Sequence, residues 1–346
     1  MRTSIYVFHQ TIRSLLTLLL SIISCLFPFH LMGSTLEPYR ETRFMLHTFV
    51  EIKAYGANAK EAAEAAFVEI ERVNSLLNNY DPTSEISQIN DAAGLKAIAI
   101  SPETLEALAG AKYYGALSGG ALDITVGPLL RLWGFTQEEP RVQEEIPPTN
   151  LLVQAKQLVD YRLINLDAIK GTARLSKRGM WIDTGSFSKG YVVDRAAIVL
   201  KKQGITQALI TAGGTILALG KKPGGKPWQV GVRHPREEGT LLDTISLGDQ
   251  SISTSGDYER FYYYKGRRIC HIIDPRSGQP VDAVQGISVI APTAMASDSL
   301  STALFVLGIQ GALSLVKNLP DIDTMIVDQE GKVHTSPGWL THAKQR

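Results

Sequence analysis

Apolar and polar positions switch between two periods along the chain. From Phe44 to Tyr55 β-formers dominate and partly alternate, which predicts a strand. Ala62, Ala66, Ile70, Val73 and Leu77 then recur at helical spacing, behind Asn58 and Glu61 at the spacing of a capping box. Tyr80-Asp81-Pro82 breaks that helix, because proline cannot continue it. Ser101-Pro102-Glu103 opens a second helix with a cap, a first-turn proline and an early acid. A third runs from about Ser188 to Gln203 and stops at Gly204. Short strands are predicted at Ala208–Thr211, Thr215–Leu219, Gln229–Val232 and Ser251–Thr254. Tyr262–Tyr264 and Arg268–Ile273 read as a hairpin turning at Lys265-Gly266. A strand at Gly286–Ile290 leads into a helix from Asp298 to Leu307, ending at Gly308. Met325–Val327 and Lys332–His334 flank a closing turn. Elements of both kinds alternate without a regular βαβ cycle, which predicts an α+β protein with a largely antiparallel sheet and packed helices.

Composition narrows the chemistry. Lys+Arg at 35 against Asp+Glu at 34 excludes the broad basic field of a general nucleic-acid binder. Two cysteines, Cys25 and Cys270, exclude a disulfide framework and a Cys-rich zinc module. The histidines do not fall at HExxH spacing. Before Glu37 there is no acid, and Arg2 and Arg13 precede an uncharged apolar run from Leu15 to Leu26. That pattern reads as an export signal. Ile22-Ile23-Ser24-Cys25 loosely matches a lipoprotein cleavage box, which would acylate Cys25. Cleavage near Gly33 or Ser34, or an uncleaved anchor, are the alternatives. Each would make residues 1–34 an export signal or membrane anchor. Each would also set a domain at 35–346 outside the cytoplasmic membrane, on the periplasmic side of the inner membrane. Gln137–Pro148, with its glutamates and prolines, reads as an exposed loop.

Five stretches can carry chemistry. In Asp298-Ser299-Leu300-Ser301-Thr302 a helix would put one carboxylate and two hydroxyls on one face, a donor set suited to a hard cation such as Mg²⁺. The same triplet is common at helix starts, where the acid meets the positive end of the helix and the hydroxyls bond back to the preceding turn. In Asp183-Thr184-Gly185-Ser186-Phe187-Ser188-Lys189-Gly190 an apolar strand ends in an acid, a turn and a helix start. Such a turn can hold an anion with its N–H groups, helped by Lys189, or be an ordinary strand–turn–helix capped by serine. Gly213-Gly214 and Gly119-Gly120-Ala121-Leu122-Asp123 allow close approach of a ligand, or simply turns. His271, near Asp274, is a candidate base or a strand histidine satisfied by backbone.

Taken in order, these stretches resemble the ApbE family, the FAD:protein FMN transferases, from about Met45 to Gly308. The blocks that carry the resemblance are Ile182 to Tyr191, Ala212-Gly213-Gly214, and Thr254-Ser255-Gly256-Asp257-Tyr258 with His271-Ile272-Ile273-Asp274-Pro275. Asp298 to Thr302 matches the family's metal block. The resemblance implies a two-lobed, T-fold-like catalytic domain, exported and often lipid-anchored. It would bind FAD with Mg²⁺ and move FMN onto a threonine hydroxyl of a partner flavoprotein, such as a subunit of a membrane redox complex, releasing AMP. It further implies that Asp298 and Thr302 hold the metal, with Ser301 close and the main chain of Ser186 adding an oxygen. Tyr80, Ala121, Leu122, Asp123, Asp183 and Lys189 would line the FAD site, joined by the main chain of Ile273. Met45 would match the methionine of a Met-Gly-Thr block, although here Leu46-His47-Thr48 follows it. His271 would take the proton of the incoming threonine.

Three other functions compete. Ser186-Phe187-Ser188-Lys189 fits the S-x-x-K motif of penicillin-binding enzymes, but K-T-G and S-D-N are missing. An exported FAD-binding protein would use the same binding residues. An Mg²⁺-dependent FAD pyrophosphatase would differ only in that water, rather than threonine, attacks.

Overall fold

The computed structural model describes residues 37–136 and 145–343. An eight-stranded sheet organises them, and every neighbouring pair in it is antiparallel. In spatial order its strands are Tyr39–Met45, Thr48–Ala54, Ala208–Ala212, Thr215–Leu219, Ser251–Gly256, Val284–Ala291, Asp323–Asp328 and Val333–Thr335. Spatial order is also chain order, so helices and side hairpins are insertions between neighbours. The expected α+β class with antiparallel sheet and packed helices is the one observed.

The pleat divides the core. Leu209 and Ile210, or Val289 and Ile290, are adjacent in sequence but lie in different buried clusters, as a period of two requires. Helices Ala59–Leu77 and Ser188–Lys202 share one cluster with Val50, Ile52 and Ile210. Helix Ala294–Val316 packs on Ile287, Val289 and Ile326. Across the sheet, Leu209, Ile252, Ile290 and Met325 are covered by the hairpin Trp228–Arg233/Leu241–Leu247 and by Trp339. A separate cluster joins Leu129, Trp133 and Phe135 to Tyr262, Ile269 and Ile273. The described residues from Pro38 onward make one compact unit. Helix Ala294–Val316 is apolar enough to cross a membrane. Most of it is buried within the protein, which explains that composition.

Several sequence expectations need correction. The strand expected at Phe44–Tyr55 is a hairpin, Tyr39–Met45 with Thr48–Ala54. Leu46 and His47 turn it at φ 55° and 56°, a conformation that glycine or asparagine usually signals. Asn58 does not cap its helix. Its Nδ2 instead donates to the carbonyl of Gln203 at 2.7 Å and ties that helix to the end of another. The strand expected to run from Arg268 to Ile273 breaks at His271, between Arg267–Cys270 and Ile273-Asp274. The helix expected from Asp298 starts at Ala294, capped by the Thr293 side chain. It breaks at Gly308 and then resumes to Val316. Helices Glu85–Asp91, Gly127–Leu132 and Thr149–Lys156 and strand Leu241–Leu247 had no counterpart in the sequence reading. The N-terminal segment, Cys25 and most of the loop expected at Gln137–Pro148 lie outside the described residues.

Candidate active site

Two helices meet start to start. Helix Ser188–Lys202 follows the turn Asp183–Phe187, and Phe187, at its cap position, makes no side-chain cap. The open N–H of Gly190 in its first turn donates instead to Asp298 Oδ2, at 2.9 Å, from helix Ala294–Val316. Glycine is required at this crossing. A Cβ on Gly190 would lie 2.3 Å from the Ala294 carbonyl oxygen. The Gly190 that follows Lys189 is thus a packing residue that brings Asp298 against the Asp183–Lys189 turn.

Around this junction opens a cavity of about 760 Å³, well within the size range of small-molecule and cofactor sites. Its wall includes Tyr80, Ala121, Leu122, Asp123, Asp183, Ser186, Lys189, His271, Ile273, Asp298 and Thr302. Stretches far apart in sequence therefore line one cavity. Met45 is not on the wall. Its side chain packs against the core, and the turn after it, Leu46-His47-Thr48, faces the cavity instead. Ser301 is also set back from the wall: it is fully buried and donates to the Asp298 carbonyl at 2.8 Å. Its Oγ lies 2.8 Å from that of Ser255, which does line the cavity. Gly213-Gly214 form the hairpin turn between two central strands, with Gly213 at φ 57°, packed against Thr48 and Thr254.

The donor set around Asp298 fits a hard cation. The carboxylate is 5% exposed and has no ion-pair partner among the described residues. Oδ2 is taken by Gly190, whereas Oδ1 has only the Ser253 hydroxyl at 3.4 Å. Thr302 Oγ1 lies 3.4 Å from Ser255 Oγ, within a layer of hydroxyls between helix and strand. A buried carboxylate with a nearly free oxygen, ringed by hydroxyls, offers hard oxygen ligands and an uncompensated charge. Among the described residues no three His, Cys, Asp or Glu converge, so a cation beside Asp298 would have to complete its shell with hydroxyl, main-chain or ligand oxygens.

His271 sits where its strand breaks, and its Nδ1 lies 3.1 Å from the carbonyl of Arg260. A carbonyl only accepts, so Nδ1 carries the proton and Nε2 keeps the lone pair. Burial, with the positive charges of Arg260 and Lys189, pushes its pKa down to about 4, which keeps the ring neutral at ordinary pH. Lys189 Nζ donates to the Gly185 carbonyl at 3.1 Å. Arg260 donates to the Phe135 carbonyl at 3.1 Å and hydrogen-bonds Tyr80. Asp183 accepts from Gly185 N–H at 3.0 Å and from Asn79 at 3.3 Å, and burial raises its pKa. Asp123 is pulled up in pKa by burial too, and its oxygens accept from Thr125 N–H, Thr125 hydroxyl and Tyr161 N–H.

Sequence reasoning missed Arg260, Asn79, Phe135 and His47, all on the wall. Arg260 lies in a turn with no motif of its own, and only the tertiary fold aims it. Asn79, just before the helix-breaking proline, had a signal that was read only as a helix end.

Comparison with known proteins places the chain in a family. The ApbE family model matches residues 46–326. The FAD:protein FMN transferase of Haemophilus influenzae is 34% identical over 267 residues, covering 75% of this chain and 77% of that protein. That of Salmonella typhimurium is 31% identical over 304 residues, covering 85% and 86%. The crystal structure of the ApbE protein from Thermotoga maritima matches with a TM-score of 0.83 at 30% identity, over 89% of this chain and all of that one. The flavin transferase ApbE from Vibrio cholerae matches at 0.78 and 27%, over 88% and 99%. With its family model spanning the cavity and the strands that build it, the chain belongs to the ApbE family.

Proposed function

We propose that this protein is an FAD:protein FMN transferase that moves FMN from FAD onto a threonine hydroxyl of a partner flavoprotein and releases AMP. The observation that carries the reading is the half-open Asp298 carboxylate on the same cavity as a neutral histidine. The names of its relatives support the transferase class. Asp298 and Thr302 would hold Mg²⁺ by their side chains, with the main chain of Ser186 adding an oxygen and Ser301 supporting from behind. When bound, the ion supplies charge neutralisation on the pyrophosphate and on the leaving AMP.

The chain's own residues do the rest. Lys189 and Arg260 bring two positive charges to the cavity, which suits a pyrophosphate. The Arg260 carbonyl holds His271 in the tautomer whose Nε2 can accept a proton. The threonine oxygen attacks the phosphorus on the FMN side, and its proton passes to His271. A new P–O bond forms, the bridging P–O bond breaks, and AMP leaves with that electron pair. Tyr80, Ala121, Leu122, Asp183 and Ile273 would contact FAD. The proposal also assigns residues 1–34 to an export signal or anchor and residues 35–346 to a catalytic domain on the periplasmic side of the inner membrane, near a membrane-bound acceptor.

The direct test incubates the full chain with FAD, Mg²⁺ and a flavoprotein domain that carries an acceptor threonine. The expected result is an FMN-sized mass increase on the acceptor and AMP in solution, both lost when Mg²⁺ is chelated. Free FMN and AMP beside an unmodified acceptor would replace transfer with hydrolysis. Intact FAD with no AMP would leave a flavin-binding protein.

A further inference from the structure

The two helices that meet at the site cap each other. Asp298, one turn into helix Ala294–Val316, accepts the Gly190 N–H at 2.9 Å. Asp194, one turn beyond Gly190, accepts the N–H groups of Ala294 and Met295, at 2.8 and 2.9 Å, from the first turn of the helix that carries Asp298. The links close a ring: Asp194 to the start of one helix, along it to Asp298, across to Gly190, and along the other helix back to Asp194. Gly190 lets the ring close, because any Cβ there would strike the Ala294 carbonyl.

From this ring we infer that Asp194 is a positioning residue for Asp298, one that sets where the metal-binding carboxylate stands without touching substrate. Thr293 satisfies only the Ala296 N–H, at 3.2 Å, so Asp194 completes the cap by taking the two N–H groups that Thr293 leaves open. What sets it apart from a cap alone is the ring that it closes through Gly190 and Asp298. Asp194 also has no ion-pair partner among the described residues and faces the charge of Asp298. A second carboxylate beside the first works against stability, so its place is better explained by geometry. Its two oxygens grip successive N–H groups, which fixes both the position and the rotation of the helix about its axis. Rotation decides which way Asp298 points, because residues three to four apart share a face.

This inference rests on the metal reading of Asp298 only for its second readout. The test uses the full chain and the variant Asp194→Asn, which keeps the shape but turns an NH₂ toward a backbone N–H. Two quantities are measured: hydrogen exchange of the Gly190 amide, and Mn²⁺ affinity from the loss of its free EPR signal. The expected outcome is loss of Gly190 protection and at least about a 10-fold weaker Mn²⁺ affinity, the scale on which outer-shell partners tune metal sites. Thr293→Ala serves as control. It should lower the melting temperature and leave both quantities as in the wild type. If Asp194→Asn lowers only the melting temperature and leaves Gly190 protected, Asp194 is a cap and the inference falls. If the wild type binds no Mn²⁺, the metal reading of Asp298 fails, and Gly190 exchange alone decides the positioning role.

Discussion

Asp298 and Asp123 are both acids on the wall of one cavity, and both are almost wholly buried, at 5% and 7% exposure. Burial and location do not tell them apart. Hydrogen-bond accounting does. Asp123 spends both oxygens on its own fold: Thr125 supplies N–H and hydroxyl donors to one, at 2.8 and 2.6 Å, and Tyr161 supplies an N–H to the other, at 2.9 Å. Asp298 commits one oxygen to Gly190 and leaves the other beside a distant hydroxyl. A carboxylate saturated by rigid donors holds a loop together. A half-saturated one with no cation beside it holds charge in reserve for a ligand.

The sharpest way to break this contrast is Asp298→Asn. The amide can still accept from Gly190, and removing an unpaired buried charge relieves a desolvation cost. The melting temperature should therefore stay the same or rise. Transfer should fall by about 10³-fold, the scale of losing one preorganised electrostatic stabiliser. Rate measurement and thermal unfolding on the same sample check both halves. Normal transfer by this variant would remove Asp298 from the mechanism.

His271 gives the next effect. His271→Ala should slow transfer by about 10²- to 10⁴-fold, the usual worth of a general base, and leave FAD binding intact. The sign of its pH dependence follows from its lowered pKa of about 4. The base is the neutral form, so kcat/KM should be flat from pH 8 down to about 5 and fall below that as the ring protonates. The acid limb should be missing in His271→Ala. An inflection near the ordinary histidine value of about 6.5 that disappears in His271→Ala would mean that the ring is not held down, and one that persists in the variant would mean that another group limits the rate.

Much of this site was legible in the sequence, because its motifs are local. The Asp183–Gly190 turn, the glycine pair, His271 and the Asp298–Thr302 face each announce themselves by residue type and spacing. What was not legible depends on tertiary structure or on an unmarked turn. Leu46 and His47 turn a hairpin at positive φ with no glycine or asparagine, so one strand was read where there are two, and Met45 was assigned in place of the turn beside it. The helix that carries Asp298 begins at Ala294 behind the Thr293 cap, which was overlooked, so the acid was placed at the helix start instead of one turn inside. Arg260 has no local pattern at all. The antiparallel class was readable because short strands and turns recur. The sheet order was not, because pairing partners such as Thr48–Ala54 and Ala208–Ala212 are separated by the long helices Ala59–Leu77, Pro102–Leu117 and Ser188–Lys202, by shorter helices and by a small sheet.

The smallest expected effect sharpens the other side of the contrast. Asp123→Asn keeps the shape of the side chain and changes one acceptor into a donor, which must face an N–H or a hydroxyl that already donates. Leaving such a group unpaired in a buried loop costs about 1–3 kcal/mol. The melting temperature should drop, while kcat/KM at a temperature where the variant is folded should stay within a few-fold of the wild type, because both carboxylate oxygens are already taken by Thr125 and Tyr161. FAD titration beside thermal unfolding separates the two roles. Weaker FAD binding at an unchanged melting temperature would make Asp123 a ligand contact after all, and hydrogen-bond saturation would then no longer mark the structural acid in this cavity.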